Sequence, residues 1–317
     1  MTVINIFWGG NLFIINFIRG FFMALADSVP GVSGGTIAFI LGFYDDFIDS
    51  LNSLISRDNM ENKKNSLVFL FKLGIGWIVG MVLSVLFLSS IFDAKIYEIS
   101  SLFTGFIVVS IPLIISQEKD SIVGKYKNII FAIIGIAVVA LITYFNPASS
   151  NGGLNLSLDN LSVGLGIFVF VAGMIAISAM VLPGISGSTL LLIFGLYTGI
   201  IGAIKEVLTF NFSYLPILII FGLGVLTGIA TTIKVIKFVL KKYRSQTVYL
   251  ILGLMIGSLY ALFMGPTSLE LSKPAMNLSS FSFIFFIIGG ALILGLERLK
   301  VVFEGKETKN KSNKKGA

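Results

Sequence analysis

Cysteine and histidine are both absent from the chain. The first absence excludes disulfides, thiolate nucleophiles and sulfur-ligated metals. The second removes the commonest general base and metal ligand, so no catalytic residue, metal site or cofactor is expected, and the chain does not read as an enzyme. Charge is scarce as well. Only 12% of the residues are Asp, Glu, Lys or Arg, against roughly 25% in a soluble domain. The opening "MTVINIFWGGNLFIINFIRGFF" lacks a basic start and a small-x-small ending, so no signal peptide is expected. The tail "EGKETKNKSNKKGA" adds to a net charge of +7; it reads as a solvated cytoplasmic end, and nucleic acid is not an expected partner.

What remains is hydrophobic. Such residues make up 56% of the chain, and the mean hydropathy is +0.96. Ten apolar segments stand out, roughly 7–26, 33–56, 66–92, 98–116, 127–145, 161–181, 187–208, 213–240, 247–264 and 280–299. Most are long enough to cross a hydrocarbon core. The expectation is an all-α, multi-pass protein of the cell membrane.

The polar stretch "NPASSNGGLNLSLDN" divides the ten segments into two fives. The predicted organisation is a first membrane repeat at 1–145, an extracytoplasmic linker at 146–160, a second repeat at 161–300 and a basic cytoplasmic tail at 301–317. The halves resemble one another. Offset by 153 residues, Pro30, Gly31, Ser33, Gly34, Thr36, Ile40, Gly42 and Tyr44 meet Pro183, Gly184, Ser186, Gly187, Thr189, Ile193, Gly195 and Tyr197. Further on, "LGIGWIVG" meets "FGLGVLTG", and Gly105 and Ser110 meet Gly253 and Ser258. Several matches in one order indicate duplication. Lys and Arg concentrate in "SRDNMENKKN", "QEKDSIVGKYK", "KKYRSQ" and the tail. Placing those inside puts both termini in the cytoplasm and makes the two halves an inverted repeat.

Each half carries a helix-breaking Pro-Gly-x-Ser-Gly-x-Thr turn inside an apolar stretch, which membranes tolerate only where it is buried in protein or lines a wet cavity. Thr36 to Asp45 is nine helical steps, roughly 13 Å, about half the hydrocarbon core. A turn near the midplane therefore lets Arg19 and the Asp45, Asp46 and Asp49 cluster reach the cytoplasmic interface, which favours broken, re-entrant helices over full spans. The new helix after each turn presents unpaired N–H groups, and Ser33, Thr36, Ser186, Ser188 and Thr189 add hydroxyls. Gly34, Gly35 and Gly187 would let a ligand approach the backbone. This reads as an anion site for phosphate, carboxylate or halide; the plainer alternative is ordinary N-capping. Arg19 either grips a phosphate or snorkels. Asp27 carries a coupling proton, caps the turn or pairs with Arg19. Neither Arg19 nor Asp27 is repeated in the second half, where Ala172 and Met180 stand. The paired glycines 74, 76 and 80 and 222, 224 and 228 read as close helix packing, and Lys72 and Lys234 as snorkelling or cavity-lining.

Around "SVPGVSGGTIAFILGFYDDFI" and "VLPGISGSTLLLIFGLYTGII" the chain resembles a bacterial and archaeal membrane family described as polyprenyl-phosphate transporters, over nearly its whole length. The resemblance implies recycling of undecaprenyl phosphate, the lipid carrier of cell-wall precursors, from the outer to the inner leaflet. It also implies that a proton or sodium ion could drive the cycle. The residues matching the family's motifs are Arg19, Asp27, Pro30, Gly31, Ser33, Gly34, Gly35 and Thr36, with Pro183, Gly184, Ser186, Gly187, Ser188 and Thr189. Two rivals stay open. One is a small-anion channel or exchanger resembling chloride channels. The other is an intramembrane prenyl-pyrophosphate phosphatase, whose Pro-Gly-x-Ser-Arg-Ser-Gly signature "PGISGS" resembles; there, however, Gly187 replaces the Arg.

Overall fold

The structure is a computed structural model that describes residues 10–27, 33–84, 89–144, 162–268 and 273–298. Helices dominate and no strand occurs among these residues. The first half comprises α1 (Gly10–Asp27), α2 (Gly34–Ile40), α3 (Tyr44–Ile55), α4 (Met60–Leu83), α5 (Ser89–Gln117) and α6 (Ile129–Tyr144). The second comprises α7 (Val163–Val181), α8 (Gly187–Ile193), α9 (Tyr197–Leu208), α10 (Leu215–Lys242), α11 (Arg244–Met264) and α12, residues 283–298. Six stretches among the described residues are long and apolar enough to cross a membrane: Met60–Leu83, Lys95–Gln117, Tyr126–Tyr144, Val163–Val181, Phe212–Lys242 and Arg244–Thr267.

Two expected segments, 33–56 and 187–208, are each two helices rather than one. The first is broken at Leu41–Phe43 and the second at Phe194–Leu196. Gly42 and Gly195 both sit at φ +67°, a left-handed conformation that glycine adopts without strain. At the first break Phe43 N–H donates to Ala38 O and Gly42 N–H to Phe39 O, and at the second Leu196 N–H donates to Leu191 O. This is the hydrogen-bond pattern with which glycine ends helices. The resulting α2 and α8 have 7 residues each, roughly 10 Å of helix, too short to span a bilayer.

Glycines matched between the two halves make matching contacts. A Cβ on Gly76 would strike Phe17 O, and one on Gly224 would strike Phe170 O; Gly80 faces Phe21 O as Gly228 faces Met174 O. Gly20 packs on Leu73 O as Gly173 packs on Phe221 O. These contacts hold α1 to α4 and α7 to α10 at small-residue distance. The later helices exchange partners between halves. Gly105 of α5 lies against Phe286 O of α12, and Gly253 of α11 against Ala132 O of α6. Gly74 and Gly222 depart from the packing expectation: a Cβ on either would meet nothing within 4 Å.

The core lies around α2, α3, α5 and α11, where Ile37, Phe43, Ile48, Ile107, Ile251 and Met255 are almost fully enclosed. Large apolar side chains also cover the outside, including Ile133, Leu141, Ile167, Leu226, Val235 and Ile287. A soluble protein avoids so broad an apolar exterior; hydrocarbon is the solvent this surface fits.

Candidate functional site

The start of α2 interlocks with the second Pro-Gly turn. Ser33 caps α2, its Oγ accepting from Thr36 N–H at 3.3 Å. The same Oγ donates to Leu182 O of the second turn at 3.1 Å. Its single proton is then spent, so in the 3.2 Å contact between Ser33 Oγ and Thr36 Oγ1 Thr36 is the donor. Thr36 Oγ1 in turn accepts from Gly184 N–H at 2.7 Å. Tyr44 O–H donates to Val181 O at 3.2 Å. Gly35 lies so close to the second turn that a Cβ would sit 2.5 Å from Val181 O. Gly184 adopts φ +89° with Leu254 against it, so both turns need glycine for protein contacts. Ser33, Thr36, Ser186 and Thr189 are all buried. Ser186 Oγ and Ser188 Oγ share a hydrogen bond of 2.8 Å. Pro30 and Gly31 lie outside the described residues; Pro183 and Gly184 form the second turn.

Asp27 ends α1 directly beside the start of α2. Gly34 N–H donates to Asp27 Oδ1 at 2.6 Å, and Trp77 Nε1–H of α4 donates to Oδ2 at 2.9 Å. One of the four N–H groups that a helix start leaves open is thus satisfied by a side chain of the protein itself. The glycines predicted to admit a ligand are filled in this conformation. A Cβ on Gly34 would lie 2.8 Å from Asp27 Oδ2, and one on Gly187 would lie 2.7 Å from Ala176 O.

Arg19 stands apart from the turns. It lies eight residues before Asp27 on α1, roughly 12 Å away along the helix. Arg19 Nη1 donates to Asn16 Oδ1 at 3.1 Å, and its guanidinium lies 4.7 Å from the centre of the Phe43 ring. It lines a polar cleft of about 610 Å³ that also receives Asp46 and Asp49 of α3, Asp58, Asn62 and Lys237 of α10. The chain after the first turn therefore returns toward the level of Arg19. Hydrogen bonds from Asn62, Ser53 and the Asn59 amide hold the Asp58 carboxyl below the usual range. Lys72 is buried on α4, whereas Lys234 is exposed.

A second cavity, of about 430 Å³, adjoins Asp27 and Gly34. Apart from Asp27 and the indole N–H of Trp77 its walls are apolar or glycine, supplied by α1 to α4 and by α7 and α10.

Sequence reading missed Trp77 and gave Tyr44 no role. The signal for Trp77 was a broken repeat: "LGIGWIVG" places Trp77 where its partner stretch places Val225. Tyr44 was an unused match. It is 2% exposed, and its counterpart Tyr197 is 36% exposed.

Comparison with known proteins gives a consistent result. A family model described as VCA0040-like, undecaprenyl phosphate translocase-like, matches residues 23–280. A Staphylococcus aureus protein named polyprenyl-phosphate transporter is 39% identical over 292 residues, covering 90% of this chain and 96% of its own. A Vibrio cholerae protein of the same name is 30% identical over 318 residues, covering 90% and 96%. No solved structure matches.

Proposed function

The chain belongs to the undecaprenyl phosphate translocase-like family, and from that premise we propose that it moves a polyprenyl phosphate between membrane leaflets. The substrate is undecaprenyl phosphate, carried from the outer to the inner leaflet of the cell membrane for reuse in cell-wall synthesis. No bond of the substrate is made or broken. The observation that carries the reading is the interlock itself: the start of α2 bonded to the second turn through Ser33, Thr36, Leu182 and Gly184, beside the half-buried carboxylate of Asp27.

A phosphate dragged bare through hydrocarbon pays a heavy desolvation cost. Donors at the two turns replace its water. The halves are inversely oriented with cytoplasmic termini, and α1 to α3 form a re-entrant element, as the shared cleft of Arg19, Asp46 and Asp49 supports. In the conformation at hand the Ser33 and Thr36 hydroxyls and the Gly34 N–H serve protein acceptors. Substrate enters when the halves part and the phosphate takes the place of Asp27, with Ser33, Gly34, Gly35 and Thr36 on one side and Ser186, Gly187, Ser188 and Thr189 on the other. Protonation of Asp27 frees its donors and removes like-charge repulsion, which couples a proton to the cycle. Arg19 receives the phosphate at the polar cleft.

Proteoliposomes carrying a fluorescent short-chain prenyl phosphate test this. Loss of label from the leaflet opposite the quencher is expected only with protein present, and only for phosphates bearing a prenyl chain. Labelling of Lys241→Cys in the same vesicles reports which face is cytoplasmic. Equal passage of inorganic phosphate alone would turn the reading into a small-anion pathway.

A further inference from the structure

We propose that the apolar cavity beside Asp27 seats the isoprenoid chain of the substrate, the part nearest the phosphate. The inference rests on the polyprenyl-phosphate reading above and adds a site to it. The cavity, about 430 Å³, falls in the roughly 300–1,000 Å³ range of small-molecule pockets. Its walls include Met23, Leu70, Ile177, Met180 and Ile229, and so come from both halves. It runs from Asp27 and Gly34, where the phosphate is placed, to Ile78, which is 58% exposed on the apolar exterior. One end therefore meets the headgroup position and the other meets lipid. Water finds few hydrogen-bond partners in an apolar space of this kind. The occupant must be hydrocarbon, because the only polar side-chain groups in the lining, the Asp27 carboxylate and the Trp77 indole N–H, are bonded to each other. A chain covalently joined to a phosphate reaches both ends at once.

Gly74 keeps this space open. It lines the cavity, and a Cβ there would meet nothing within 4 Å. Its repeat counterpart Gly222 is equally open but is not part of the cavity wall. The duplication thus supplies a matched control. Gly74→Leu adds bulk to the cavity wall at a position where a Cβ meets nothing within 4 Å and improves helix propensity, and Gly222→Leu makes the same change away from it.

The test is binding of farnesyl phosphate, isopentenyl phosphate and dodecyl phosphate to the purified full-length protein, with thermal unfolding measured alongside. Wild type is expected to bind farnesyl phosphate more tightly than the other two. Gly74→Leu should weaken farnesyl phosphate at least about tenfold, the equivalent of a few buried methylenes, weaken isopentenyl phosphate, which occupies less of the cavity, by a smaller factor, and leave the melting temperature unchanged. Gly222→Leu should leave all three ligands unchanged. Should Gly74→Leu fail to fold, Ile177→Phe fills the cavity from the opposite wall and must give the same pattern. If wild type binds farnesyl phosphate and neither filling variant weakens it, the cavity assignment falls while the transporter reading stands. Dodecyl phosphate binding as tightly and suffering the same loss would make the cavity a general hydrocarbon pocket and overturn the isoprenoid assignment. If wild type binds no prenyl phosphate at all, both readings fall together.

Discussion

The two turn regions share a backbone plan and differ in chemistry. Both follow a long helix, both open a helix of 7 residues, and both end it with a glycine at φ +67°. In the first, Gly34 N–H and Trp77 Nε1–H converge on Asp27. In the second, Met180 and Val225 stand at the positions of Asp27 and Trp77, and Gly187 packs on Ala176 O and Met180. The two regions thus match in backbone, and an ionisable group stands in one of them alone. A half-buried carboxylate in an apolar setting is costly unless its partners persist. Asp27 keeps two such partners, Gly34 N–H and Trp77 Nε1–H.

The largest expected effect breaks the shared plan. Valine at Gly187 would press on the backbone oxygen of Ala176, which cannot rotate away. At Gly34 it would press on the Asp27 carboxylate, the end of a side chain. Gly187→Val should therefore lower thermal stability more than Gly34→Val, by roughly 1–3 kcal/mol of overpacking, while both abolish transport. Comparing melting temperatures of the two variants in one detergent checks the order. Equal melting with wild type in Gly187→Val would mean that the second turn is looser than its contacts imply.

A smaller effect isolates the carboxylate. Trp77→Phe removes one donor to Asp27 and keeps an aromatic ring, at about 1.5–3 kcal/mol for a hydrogen bond to a charged group. Asp27→Asn removes the charge. Their effects should be strongly non-additive, because both act on one pair. If Asp27 carries the coupling proton, Asp27→Asn should also flatten the pH dependence of transport, whereas Trp77→Phe should shift that dependence without flattening it. Additive losses and an unaltered pH profile would leave Asp27 as a capping group.

Much of this arrangement was legible in the sequence. Fixed-offset matches pointed to the glycines that make matching contacts in α4 and α10, and Pro-Gly-x-Ser-Gly pointed to the second turn at Pro183 and Gly184. Gly42 and Gly195 were seen as matches but not as helix ends, because hydropathy windows run smoothly across a single glycine. Which acceptors the turn hydroxyls choose was not legible either. Ser33 and Leu182 lie 149 residues apart, and no local rule reports a bond between distant segments. The glycines illustrate the same limit. A glycine that admits a ligand and one that admits a neighbouring helix have the same code, and only the packing distinguishes Gly35 from Gly74. Arg19 was placed at the level of the aspartate cluster by counting helical steps, and it shares a cleft with Asp46 and Asp49.

The smallest expected effect concerns a second link between the halves, at the charged end of the molecule. Arg244 pairs with Asp45 at 2.8 Å and with Glu118, and Lys237 pairs with Asp49 at 2.9 Å. Both cations belong to the second half and all three acids to the first. Unlike the buried interlock at the turns, this link is wet: Lys237 and Asp49 are 40% and 63% exposed. Exposed pairs contribute roughly 0–1 kcal/mol and weaken with salt. Lys237→Ala should therefore change the melting temperature very little. Arg244→Ala should cost somewhat more, because it leaves Glu118, only 16% exposed, without its two-pronged partner. Both differences should shrink in molar salt, whereas the loss in Trp77→Phe should not. A salt-independent loss in Lys237→Ala would show that the charged end is drier than its exposure implies. The two links between the halves would then rank as equals, and the turns would no longer be the stronger joint.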